Sequence, residues 1–220
     1  MPPRTKPVSH TRPTKNKLTV PSGTVSRTRK GERRITEIMT AARDLFVNKG
    51  YIEMTMRQVA EKTGMSLSNL QHYFPSREEL LRAVLWDVAT SYDDKYGSLD
   101  LEKKTPIQRF TAVMSFLLAD IRQPETEKLF VEIWSLASRD PIAREVLDQM
   151  YTYHRKNVER LIADVNPELP AQKISLRACL IAMQIEGLIL ILSDTKPKHR
   201  ELKGIEQECL KSMLLIVQAH

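Results

Sequence analysis

Cysteine is scarce in this chain. Only Cys179 and Cys209 occur among its 220 residues, both in apolar helical surroundings. Two such thiols do not make a disulfide framework; they are expected to be buried and free, as in a reducing cytoplasm. Glycine is scarce too, and its seven residues are scattered, so no glycine loop can cradle a phosphate. The motifs His-Glu-x-x-His, Cys-x-x-Cys and Gly-x-Ser-x-Gly are absent as well. An enzyme reading therefore has no catalytic constellation to stand on, and neither a metal nor a cofactor is expected. Strict polar–apolar alternation persists nowhere, which argues against a sheet. The longest apolar run, residues 178–192, is interrupted by Gln184 and Glu186. It falls short of the roughly 20 residues that cross a bilayer, so it reads as a buried helix and no membrane partner is expected. The basic N-terminus is not followed by an apolar segment, so no signal peptide is expected and a cytoplasmic location is.

What the chain does have is an uneven charge. The formal net charge is +7, yet residues 1–34 alone carry +9, because they hold ten Lys or Arg and one acid, Glu32. The remainder carries −2. A basic end on a slightly acidic body suits a polyanionic partner at one end of the molecule. Residues 1–30 are rich in Pro, Thr, Ser, Lys and Arg and poor in apolar side chains. They cannot bury enough surface to offset the entropy of ordering, and are expected to form a disordered basic arm.

Beyond the arm the periodicity is helical throughout. Ile35, Ile38, Met39, Ala42, Leu45 and Phe46 form one stripe of a first helix, expected over residues 35–48. Between residues 55 and 80 come two short helices and the start of another. Thr55 can cap the first, whose inner face is Met56, Val59 and Ala60. Gly64 ends it, since glycine enters the left-handed conformation cheaply. Ser66 caps the next, which buries Leu67, Leu70 and Phe74. Pro75 stops it, and Ser76 with Glu79 reads as a capping box for a long fourth helix ending near Tyr96-Gly97. Two helices joined by a short glycine-containing turn form a helix-turn-helix, and the second is short and polar on one face, as a major-groove reader must be. Further helices are expected over residues 105–122, 124–138, 141–165, 171–192 and 201–218. The fold class is thus all-α with about nine helices: an arm (1–30), a helix-turn-helix head (31–76), and a connector helix leading into a helical body (77–220).

The segment from Arg33 to Leu85 resembles the DNA-binding domain of the TetR family of bacterial repressors. The resemblance rests on Lys49-Gly50-Tyr51, Thr55, Val59-Ala60-Glu61, Gly64-Met65-Ser66 and Phe74-Pro75-Ser76-Arg77-Glu78-Glu79-Leu80. Residues 130–162 and the Glu186-Gly187-Leu188 step also resemble the regulatory domain of the choline-responsive BetI-type branch. The resemblance implies a homodimeric transcriptional regulator that binds a double-stranded DNA operator, is released by a small-molecule effector, and uses residues 77–220 for ligand binding and dimerisation. A helical adaptor, or an activator without an effector, is the alternative. One departure stands out: many members carry Gly-Thr-Leu-Tyr where this chain has Ser68-Asn69-Leu70-Gln71. A glutamine at the usual aromatic position can read an adenine edge instead of holding a phosphate.

The candidate DNA contacts are Ser66, Ser68, Asn69, Gln71 and His72 on the short helix. Of these, Asn69 and Gln71 can pair with adenine N6 and N7 or bond phosphate. Tyr73, Arg77 and the Thr55 hydroxyl read as phosphate contacts, with a solvated first-turn residue as the bland alternative for Arg77. Arg27, Arg29, Lys30, Arg33 and Arg34 lead into the first helix and can reach an adjacent minor groove. For the effector, Met114, Phe130, Trp134, Tyr151, Met183, Gln184 and Glu186 are the candidate pocket residues, with Phe116 and His154 beside them. Each is equally readable as plain core or surface. Glu186 stands out because a buried unpaired carboxylate is costly; it can meet a cationic ligand, pair across a dimer interface or face solvent. An apolar or amphipathic effector is preferred over a choline-like cation. The dimer interface is expected along Ile181, Ile185, Leu188 and Leu192, with Ile205, Met213 and Ile216 on the last helix, and with Gly187 allowing close backbone approach.

Overall fold

The computed structural model describes residues 29–219. Every regular element among them is helical, in the order α1 Arg29–Glu53, α2 Met56–Lys62, α3 Leu67–Tyr73, α4 Arg77–Gly97, α5 Pro106–Asp120, α6 Pro124–Ala137, α7 Pro141–Val165, α8 Ala171–Leu192 and α9 Ile205–Gln218, with two short 3₁₀ turns. The termini follow from capping chemistry. The Thr55 and Thr105 hydroxyls accept from the backbone N–H three residues on, and Gln58 and Gln108 return the bond to the cap backbone. Asp140 caps α7 through the Ala143 N–H at 2.8 Å. Proline stands in the first turn of α5, α6 and α7, where its missing N–H costs nothing.

Two boundaries differ from the sequence expectation. The first helix begins at Arg29 rather than near Ile35, so Arg29 and Lys30 are helical and not part of a disordered arm. Thr36 and Asn48 bond carbonyls one turn back within this helix. Residues 1–28, including Arg27 and most of the expected arm, lie outside the described residues. The last helix starts at Ile205, not near Glu201, because Gly204 adopts φ 85° and separates it from a 3₁₀ turn at Arg200–Leu202.

The apolar interior falls into two clusters. One holds Ile38, Ala42 and Phe46 of α1, Val59 and Ala60 of α2, Leu70 of α3 and Leu80 to Val88 of α4, and it runs on into Leu129 and Ile133 of α6 and Val146 of α7. The apolar packing of the head therefore does not stop at residue 76. The second cluster joins α5, α7, α8 and α9 around Phe110, Met114, Met150, Ile162, Ile181 and Met213. α8 has 22 residues, and an 18-residue stretch of it has a mean hydropathy of 1.8, so by length and composition it could cross a membrane. This exceeds what the interrupted sequence run suggested. In the fold, α8 lies along α7 and α9, and one of its sides is left uncovered. Cys179 and Cys209 are free and half-buried rather than fully interior.

Candidate functional site: a helix-turn-helix surface and a body cavity

The turn between α2 and α3 is set by Gly64 at φ 64°. The Met65 N–H reaches back to the Ala60 carbonyl at 2.9 Å, and the Gly64 N–H to the Glu61 carbonyl at 3.1 Å. That reciprocal pair closes a Schellman motif, which satisfies the last carbonyls of α2 and swings the chain into α3. Ser66 Oγ accepts from the Asn69 N–H at 3.2 Å and starts α3. With Leu70 and Phe74 buried beneath it, α3 turns Ser68, Asn69, Gln71 and His72 outward, all exposed. Ser68 and His72, one turn apart, sit at the middle of this face, while Asn69 and Gln71 lie about 160° apart around the helix axis and mark its two margins. Ser66 is exposed, but its hydroxyl is committed to the cap. Tyr73 is half-buried, packed against the head core and edge-on to His72 at 5.9 Å.

Several expected phosphate contacts already bond other groups of the protein. Thr55 Oγ accepts from the Gln58 N–H at 3.2 Å. The Arg77 guanidinium lies 4.1 Å from the centre of the Tyr51 ring and donates to the Tyr51 and Met54 carbonyls at 3.4 and 3.3 Å. It is a half-buried clamp on the end of α1, not a freely solvated first-turn residue. Arg29 and Lys30 are exposed on the first turn of α1. Arg33 and Arg34 both bond Glu37, at 3.1 and 2.8 Å, and hold its carboxyl below the usual carboxylate range. Arg34 also reaches the Thr63 carbonyl. These arginines thus form a helical basic edge beside the turn, rather than a loose lead-in.

In the body, α4, α5, α6, α7 and α8 enclose a cavity of about 80 Å³. Its walls include Tyr92, Tyr96, Phe130, Tyr151, His154 and Ile185, with Glu186 and Arg155 as charged groups. The Tyr151 hydroxyl accepts from the Trp134 indole N–H and lies close enough to the Glu186 carboxylate for the two to shift each other's ionisation. Burial pushes the Tyr151 phenol up to about 12, with Glu186 adding to the rise and the Trp134 donor opposing it. Burial also raises the Glu186 carboxyl, while Arg155 and Tyr151 oppose that rise. The Asp120 carboxylate at the same cavity takes the Tyr92 hydroxyl at 2.7 Å, Lys95 at 3.0 Å and Thr126 at 3.2 Å, so both of its oxygens are engaged.

Of the expected pocket residues, Phe130, Tyr151, His154 and Glu186 line this space and the others do not. Met114 is fully buried in the core behind it. Trp134 is outside the lining and meets two of its residues, bonding the Tyr151 hydroxyl and lying 5.9 Å from the Phe130 ring, centre to centre. Gln184 is outside the lining, and Met183 is 64% exposed on the far side of α8. Phe116 backs the wall edge-on to Tyr92 and Tyr96.

The expected dimer stripe is corrected in the same way. Ile181, Leu188, Leu192 and Met213 are buried within the subunit, and Ile185 faces the cavity; Ile205 and Ile216 are half-buried against the body core. The uncovered side of α8 instead carries Leu176, Leu180, Met183, Gly187, Leu190 and Ile191, with Leu215 of α9 at 71% exposure. From Leu176 to Leu190 the steps are four, three, four and three, which makes this a seam of the coiled-coil kind. Periodicity alone could not choose between two apolar sides of one helix. Sequence reasoning also missed Glu132 of α6, whose carboxylate accepts from the Tyr51 N–H at 2.8 Å. The only hint of it was a glycine, Gly50, inside an otherwise helical stretch.

A short capped reader helix on a head fused to a helical body defines a helix-turn-helix regulator, and the comparisons agree. Residues 38–84 match the model for bacterial regulatory proteins of the tetR family. The HTH-type transcriptional regulator YfiR of Bacillus subtilis is 25% identical over 201 residues, covering 86% of this chain and 94% of that protein. The HTH-type transcriptional regulator BetI of Rhizobium meliloti is 27% identical over 154 residues, 70% of this chain and 74% of that one. A crystal structure of a TetR transcription regulator from Haloarcula marismortui superposes with a TM-score of 0.62 at 18% identity, covering 85% of this chain and 94% of that one. Residues 38–84 thus carry a DNA-binding head of the tetR family, and most of the chain is similar to TetR-family transcriptional regulators.

Proposed function

We propose that the protein is a homodimeric repressor that recognises a palindromic operator through α3 and is released when a small molecule enters the body cavity. The observation that carries the reading is the capped, seven-residue α3, with Ser68, Asn69, Gln71 and His72 on its open face and its apolar face locked into the head. Arg29, Lys30 and Arg33 supply positive charge at the same end of the molecule. The exposed Leu176–Leu180–Met183–Leu190 seam of α8 and Leu215 of α9 supply the surface for a second copy. A symmetric pair presents two reader helices, which is what a palindrome requires. The body acts by binding rather than catalysis, and the protein works where the chromosome is, in the cytoplasm.

The cavity favours a small, largely apolar or amphipathic effector. Its space of about 80 Å³ is well below the roughly 300–1,000 Å³ of pockets for drug-sized ligands. Its aromatic walls suit an apolar body, and the Tyr151–Glu186 pair offers one polar anchor. The test is selection of bound sequences from random duplex, followed by a screen of small metabolites for release. Recovery of a palindrome protected by a dimer supports the reading. A chain that enriches no duplex, as a helical adaptor would, defeats it. A reporter driven from the selected operator separates repression from activation.

A further inference from the structure

Gly50 interrupts α1 at φ 78° and ψ 163°, a conformation essentially confined to glycine. The interruption turns the Tyr51 N–H toward α6, where Glu132 Oε1 accepts it at 2.8 Å. A Cβ at Gly50 would stand 3.0 Å from that same oxygen. Glycine is thus required there twice, for the backbone conformation and for the close approach of the carboxylate. On its other side the Gly50–Thr55 turn is gripped by α4, through the Arg77 bonds to the Tyr51 and Met54 carbonyls. This turn feeds directly into α2 and so sets where the helix-turn-helix points.

α6 has a second role. Two residues either side of Glu132 it carries Phe130, which lines the cavity, and Trp134, which bonds the Tyr151 hydroxyl at the cavity wall. Residues two apart lie on opposed sides of a helix. α6 is therefore a beam with the cavity on one side and the hinge of the head on the other. We propose that Glu132 is a positioning residue that latches the head to the body, and that the state of the cavity reaches α3 through the Glu132–Tyr51 bond. This rests on the reading of the cavity as an effector site. A molecule that spreads the Phe130–Tyr151 wall moves α6, draws the carboxylate from the Tyr51 N–H and frees the hinge. The route differs from one through α4 alone, because it enters the head at the end of α1.

The test uses the full chain and the duplex that wild-type protein selects from a random pool. Glu132→Ala is expected to speed hydrogen exchange at the Tyr51 amide and to weaken operator binding about tenfold, through removal of one charge-assisted hydrogen bond. Glu132→Asp, one methylene shorter, withdraws the acceptor while keeping the charge and is expected to move both readouts the same way. Glu132→Gln keeps an acceptor oxygen in place and should stay within about threefold of wild type. Ala182→Leu grows into the cavity from α8 and stands in for a bound molecule. It should alter Tyr51 exchange and operator affinity in the wild-type background and change neither further once Glu132 is alanine. Wild-type operator affinity in both Glu132→Ala and Glu132→Asp overturns the latch, as does an Ala182→Leu effect that is absent or equal in the two backgrounds. If wild-type protein selects no duplex, the operator reading fails instead, and the Tyr51 exchange cycle still decides the latch.

Discussion

The guanidinium of Arg77 stacks 4.1 Å from the centre of the Tyr51 ring. This one relationship joins the first turn of α4 to the last turn of α1, and it changes what a mutation at Arg77 should do. Arg77→Lys keeps the charge but loses the planar stack and the fork that reaches two carbonyls. It should cost about 1–3 kcal/mol of stability from the stacking and the two hydrogen bonds together. A simple phosphate contact would tolerate lysine. Thermal melting of Arg77→Lys and Arg77→Ala decides between the roles: wild-type melting in both returns Arg77 to the DNA surface.

Specificity should reside at separate places on α3. Gln71→Ala is expected to cost about 1–3 kcal/mol at one base pair of each half-site if the side chain reads an adenine. Because Asn69 lies on the opposite margin of the face, Asn69→Ala should not relax that same base pair. The check is the motif selected by each variant, and an unchanged motif for Gln71→Ala removes Gln71 from base reading.

Residues 1–28 hold six Lys or Arg and no acid. Deleting them should flatten the dependence of log affinity on log salt by about 0.9 for each phosphate that is no longer neutralised. Titration at several salt concentrations measures it, and an unchanged slope makes this segment a bystander in binding.

The uncovered seam of α8 and the buried stripe beside it should respond differently to charge. Leu180→Glu and Met183→Glu place charges on the uncovered side of α8. They should yield folded monomers by sedimentation, with operator affinity reduced by at least about tenfold because the two heads are no longer paired. Leu188→Glu places a charge inside the subunit and should prevent cooperative folding altogether. Folded dimers of Leu180→Glu would exclude this face as the interface.

Glu127, 6% exposed, pins the segment between α8 and α9 to the start of α6. Burial alone would raise its carboxyl, but hydrogen bonds from Lys196, Ser193 and Thr195 outweigh that and lower it from 4.5 to about 2. A depressed carboxylate contributes stability that is fully present above its unfolded value and is lost as pH falls from about 4.5 toward 2. A shift of that size is worth at most about 3 kcal/mol. The Lys196 ammonium is partly solvated and screened, so about 1–2 kcal/mol is expected. Glu127→Gln should melt lower at pH 7 and lose less on acidification than wild type. Parallel pH–stability curves for the two proteins would refute the assignment.

Much of this was legible in the sequence, for identifiable reasons. Caps and stops are local, so Thr55, Gly64, Ser66, Pro75 and Asp140 announced the helices they bound. The reader face of α3 followed from three apolar residues on a short helix. The start of α1 was missed because Arg29 to Arg34 carry no apolar stripe; charged residues with good helix propensity simply extend the helix backward. The cavity was half legible. Phe130, Tyr151 and Glu186 line it, but Met114, Trp134 and Met183 are equally apolar, and only packing separates wall, backing and outer surface. The Glu132–Tyr51 bond spans 81 residues of sequence, and no local pattern foretells it.

The head's apolar cluster, which continues from α3 through α4 into Leu129 and Ile133 of α6 and Val146 of α7, has a consequence for modularity. A graft that swaps residues 29–76 between regulators cuts through one continuous interior and leaves half of it facing a stranger. Exchanging the reader without that damage means carrying α4 along and matching the inner faces of α6 and α7. Operator preference in this protein is therefore not a detachable cassette. On the proposed reading by α3, it is rewritten most cheaply by changing side chains on the open face of that helix.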